Sequence, residues 1–215
     1  MPVGPLSLPA HLYLLAWDTS KSDVTGATQI PQLVRAGALT ELAQRGLLLD
    51  DDGIATPVDM DASTGDAVLD GLLELVRESR PHRWRAWVTL HTRITLDAVR
   101  EQLAAGGWLR ARKRRALGLF PTVEYDLARP AAVEALQEEA RGILRGPVPA
   151  MDLSDRDAAV IALAAAAGLR TLLPRKESHG TRVEELIERS GQAAPALRKV
   201  VQELRGAVTE ASAGA

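Results

Sequence analysis

Five bases stand within six consecutive positions: Arg110, Arg112, Lys113, Arg114 and Arg115. A run of this kind attracts polyanions such as nucleic acid, an anionic phospholipid surface or an acidic partner, and performs no covalent chemistry of its own. An apolar group follows at once, Leu117, Leu119 and Phe120, the last being the one Phe in the chain. Bases behind an apolar tip suit a peripheral membrane contact, at about 1 kcal/mol per Lys or Arg beside an anionic leaflet. The same three apolar residues could instead pack into the core or join copies of the chain into an oligomer.

Other chemistry finds little support. His11, His82, His91 and His179 lack metal-ligand spacing, and none stands in an H-E-x-x-H pattern. Asp50-Asp51-Asp52-Gly53 lacks the alternating ligands and terminal Glu of a calcium loop and reads as a solvated turn. With no Cys there is no thiol nucleophile, disulfide or Cys-held zinc. G-x-S-x-G, P-loop and G-x-G-x-x-G patterns are absent. The expectation is a non-enzymatic protein with no metal and no cofactor.

The elements that must hold these residues are mostly helical. Only 3% of residues are aromatic, so the core must come from Leu, Val, Ile and Ala, which favours helices. Three/four spacing predicts a helix over Gln29 to Arg45, and a second follows the Ser63-Thr64-Gly65-Asp66 cap to Glu78. Helices are expected over Trp84 to His91, from Thr95 or Asp97 to Ala105, and over Pro130 to Leu144. Three more are expected from Asp152 or Ser154 to Ala167, over Gly180 to Ser190 and over Ala194 to Ala207. Leu8 to Trp17 is a short apolar segment, and periodicity does not choose between helix and strand. Two hairpins are expected. Leu47 to Asp59 turns at Asp52-Gly53, and residues 109–127 put Arg110, Arg112 and Arg114 on one face and Lys113 and Arg115 on the other. The reading is one domain over 1–207 and a frayed tail over 208–215.

Charge is segregated along the chain. Residues 41–79 carry two bases against ten acids, whereas 80–115 carry ten bases against Asp97 and Glu101. The two blocks either neutralise each other in the fold or leave a face for a polyanion. The helix ending at Ala105 with its basic hairpin also resembles a winged arrangement for DNA. Asp97 and Glu101 would then oppose phosphates, which argues against nucleic acid. No basic-flanked leader opens the chain, and the longest apolar run, Ala158 to Leu169, is too short to span a bilayer. The expected location is cytoplasmic, with peripheral membrane association.

Several stretches together resemble one family. Residues 33–46 (LVRAGALTELAQRG), Thr64 to Asp70 (TGDAVLD), Leu117-Gly118-Leu119-Phe120 within a hairpin, the late helix Ala158 to Leu169 and the opening Leu8 to Leu15 occur in the order seen in the Golgi phosphoprotein 3 family. The resemblance implies a mainly α fold, a helical bundle wrapped by amphipathic helices with a projecting β-hairpin. It implies peripheral membrane proteins that bind phosphatidylinositol 4-phosphate and, in eukaryotes, grip the cytoplasmic tails of Golgi glycosyltransferases. The Ala-, Arg- and Leu-heavy composition looks like that of a bacterial member. Two headgroup positions carry over, Arg35 and Arg93. The family's tryptophan position falls on Gly26 and its remaining base on Leu96. Arg35 could alternatively form a structural pair with Glu41 or an acid of 50–52. The partners implied are an anionic phospholipid, a protein client and further copies of the chain through the hairpin; a protein-interaction scaffold without lipid specificity stays open beside them.

Overall fold

A helix with no polar face can only lie inside. Ala158 to Ala164 is apolar at every position, and in α7 (Asp155–Ala166) all seven of these residues are buried. The computed structural model describes residues 5–21, 23–25, 28–116, 120–173, 180–193 and 195–213, and places α7 beside two other enclosed helices, α1 (Leu8–Leu15) and α2 (Ile30–Gln44). The ambiguous opening run is therefore a helix. It buries seven of its eight residues, so it shows no amphipathic period. Gly37 fixes how α1 meets α2: a Cβ there would lie 2.7 Å from Leu12 Cδ1 and 3.1 Å from the Pro9 Cα, so only glycine allows the close approach.

Amphipathic helices wrap this centre. In α3 (Ala67–Glu78), Val68, Leu69, Leu72, Leu73 and Val76 form the buried stripe, and Asp66 caps the N-terminus by accepting from the Val68 and Leu69 amides. Helix α4 (Trp84–Thr89) buries Trp84, Trp87 and Val88. Next come α5 (Thr92–Ala105) and α6 (Pro130–Arg145), then a 3-10 turn at Ala150–Asp152 before α7, where the Ser154 hydroxyl accepts from the Asp157 amide. The last helices are α8 (Gly180–Ala193) and α9 (Pro195–Ala213). Helix α9 continues past Ala207, where a frayed tail was expected, and Glu210 on it pairs with Arg85 of α4 at 2.5 Å.

Three antiparallel strand pairs complete the described residues: β1 (Trp17–Asp18) with β2 (Asp23–Val24), β3 (Leu48–Asp51) with β4 (Ile54–Pro57), and β5 (Leu109–Ala116) with β6 (Phe120–Leu127). Asp52 (φ 48°) and Gly53 (φ 84°) link β3 to β4 in the left-handed conformation that a two-residue hairpin turn requires. The architecture is mainly helical, with nine α-helices among the described residues. No helix among them is long and apolar enough to cross a membrane.

Candidate functional site

Arg35 lies in the middle of α2 and has no solvent exposure. Its Nη2 donates to the His91 carbonyl at 2.8 Å, while Nε and Nη1 have no partner. Of the acids expected to neutralise it, Glu41 and Asp50 are engaged elsewhere, and Asp51 and Asp52 are exposed. Glu41 accepts from the Leu8 amide at 2.6 Å and from Arg45 at 2.5 Å, and Asp50 accepts from Trp84 Nε1 at 2.6 Å. Burial pulls the guanidinium's pKa down to about 10, so it remains charged at neutral pH. A buried cation with two idle N–H groups is poorly satisfied and suited to an anion.

The carbonyl that holds Arg35 belongs to the residue that starts α5. His91 adopts a left-handed conformation (φ 51°), has an exposed side chain, and accepts the Ile94 amide at 3.1 Å with the same oxygen. Helix α5 thus opens at Thr92, three residues before Thr95, and this corrects the expected boundary. Arg93 stands in the first turn of the helix, not in the loop before it, and is exposed. The structure brings Arg35 and the α5 N-terminus together, through backbone and without a direct Arg35–Arg93 bond. Leu96, at the family's remaining basic position, is 5% exposed and part of the core. Gly26 lies outside the described residues.

The second basic group is less uniformly basic than its sequence. Register pairs Arg110 with Asp126 and Arg112 with Glu124, and Arg112 Nε bonds Asp126 diagonally. The acids of β6 therefore face the bases of β5 on one side of the ribbon. On the other side Leu109 and Ala111 pair with Leu127 and Tyr125, and Leu109 is buried. Arg110, Arg112 and Lys113 are exposed. Arg114 pairs with Thr122 and Arg115 with Pro121. Ala116 pairs with Phe120, and the tip residues Leu117 and Leu119 lie outside the described residues. Arg100 anchors the ribbon. Its guanidinium lies 5.6 Å from the Tyr13 ring centre and 5.7 Å from that of Tyr125, and its Nε donates to the Tyr13 hydroxyl at 3.1 Å. Its role was missed in the sequence, where nothing local pairs it with residues 87 and 25 positions away.

The sequence model of the Golgi phosphoprotein 3 (GPP34) family matches residues 8–204. The chain belongs to that family. The match takes in all the elements from α1 through α8 and about half of α9, and so spans Arg35, the α5 N-terminus and the basic ribbon. No curated protein matches the chain. Among the described residues of this Golgi phosphoprotein 3 member, no three His, Asp or Glu side chains group in a way that could hold a metal ion.

Proposed function

We propose that the chain is a non-enzymatic peripheral membrane protein that binds anionic phospholipid headgroups, with phosphatidylinositol 4-phosphate the headgroup that family membership favours. The observation that carries this reading is the buried Arg35 guanidinium, charged, free of any carboxylate partner, and with two N–H groups idle. Phosphate oxygens are the partners such a fork accepts. Arg93 and the α5 N-terminus add positive potential beside it. Because Arg35 is enclosed, direct contact with a phosphate requires the turn at His91 to give way; without that movement Arg35 acts through its field. Arg110, Arg112, Lys113, Arg114 and Arg115 supply non-specific attraction, and the Leu117, Leu119 and Phe120 tip inserts or joins copies of the chain.

The test is co-sedimentation with phosphatidylcholine vesicles, alone or doped with phosphatidylinositol, its 4-phosphate or phosphatidylserine, at low and physiological salt. Binding that favours the 4-phosphate, survives physiological salt and falls in Arg93→Ala is the expected result. Equal binding to every anionic vesicle that fades with salt would leave only the ribbon's field. Absence of binding to all of them would overturn the lipid reading and favour a protein scaffold.

A further inference from the structure

Leu90, on the turn between α4 and α5, and Ile94, in the first turn of α5, are apolar side chains that the fold leaves outside. They are 47% and 62% exposed, although Trp84, Trp87 and Val88 just before them are at most 4% exposed and hold α4 in the core. The pair brackets His91 and Arg93, both exposed. No acid occurs from Ser79 to Leu96, a stretch holding Arg80, His82, Arg83, Arg85, His91 and Arg93. Of the acids beside this stretch, Asp97 pairs with Arg100 at 3.4 Å and Glu210 with Arg85. The charged guanidinium of Arg35 lies directly under the His91 carbonyl. An apolar pair set among Arg85, His91 and Arg93, with the adjoining acids Asp97 and Glu210 held in ion pairs, matches the boundary between anionic headgroups and acyl chains.

The basic ribbon is rooted on the same helix, α5. It starts at Leu109, beside the C-terminus of α5, and Tyr125, paired with Ala111, already sits over Arg100 in the middle of that helix. The Tyr125 hydroxyl, whose pKa burial raises, also feels Glu101 and Asp97. The foot of the ribbon is therefore seated on α5, the helix whose first turn carries Arg93 and Ile94.

We infer that the α4–α5 turn is a second membrane-docking point, which seats Leu90 and Ile94 at the headgroup–acyl boundary of an anionic bilayer with Arg93 and His91 at the phosphates. The inference rests on the phospholipid reading above and adds which end of the molecule faces the bilayer.

The absence of native Cys permits a clean test. Leu90→Cys and Ile94→Cys, each carrying an environment-sensitive fluorophore, are mixed with phosphatidylcholine vesicles with or without phosphatidylserine. A blue shift and intensity gain on the anionic vesicles alone is expected. The unlabelled Leu90→Ser/Ile94→Ser double variant should keep its melting temperature and partition on the order of tenfold more weakly. If the parent pellets with anionic vesicles while both labels stay in water, or if the double variant partitions like the parent, the turn is not a docking point and headgroup binding stands through the ribbon. If the parent pellets with no vesicle, the headgroup reading fails and this inference falls with it.

Discussion

The two larger hairpins of this chain have opposite charge and opposite attachment. The short β3–β4 pair is acidic, turns through Asp52-Gly53, and is fastened to the body by Asp50 bonded to Trp84 Nε1, the Ala55 amide on the His82 carbonyl, and a bridge from Ile54 to Arg83. The long β5–β6 pair is rich in bases and is held near its foot, by buried Leu109 and by Tyr125 against Arg100. Farther out, Arg112, Lys113 and Val123 are exposed. The same strand pairing thus serves stability in one place, where Asp50, Ile54 and Ala55 are tied to residues 82–84, and presentation in the other. The −8 and +8 charge blocks therefore do not simply cancel across the fold. The ribbon neutralises part of its charge internally, through Asp126.

The largest effect expected from this contrast comes from the fastened hairpin. Trp84→Ala removes a 1%-exposed indole and frees Asp50, and should cost about 3–5 kcal/mol in urea unfolding. Next is the ribbon: Arg112→Glu/Lys113→Glu/Arg114→Glu should weaken binding to anionic vesicles on the order of 100-fold while the melting temperature holds. Unfolding of that triple variant would break the comparison, because the ribbon would then be structural. Arg100→Ala, which removes the clamp between Tyr13 and Tyr125, should cost about 1–2 kcal/mol and raise amide exchange at the ribbon's foot without reaching the core helices. Smallest is Gly53→Ala, about 1 kcal/mol for a side chain forced to φ 84°. A loss as large as that of Trp84→Ala would show that the turn fixes more than its own strands.

Elements that announce themselves locally were legible in the sequence. Asp66 and Ser154 cap the helices their positions suggest, and Asp52-Gly53 turns where it should. What escaped depends on distant contacts. The start of α5 at Thr92 has no side-chain cap; it follows a His in an uncommon backbone region whose carbonyl is held by a guanidinium 56 residues away. Arg35 and Arg93 were picked out through the family resemblance alone. Their environments were not legible, because burial of Arg35 and engagement of Glu41 and Asp50 depend on how α1 and α4 pack. The ribbon's own acids, Glu124 and Asp126, lie beyond the basic block in sequence and join it only through register.

The enclosure of α1 has a consequence for how the chain is made. Its carbonyls and those beside it are closed off by late residues: Leu15 by Thr171 Oγ1 at 2.6 Å, Trp17 by Gln137 at 2.7 Å, and Leu6 by Arg156. During synthesis this largely apolar helix emerges before α6 and α7 exist, and its closure waits for more than 150 further residues, up to Thr171. Non-local closure of this kind slows folding and leaves an adhesive nascent segment.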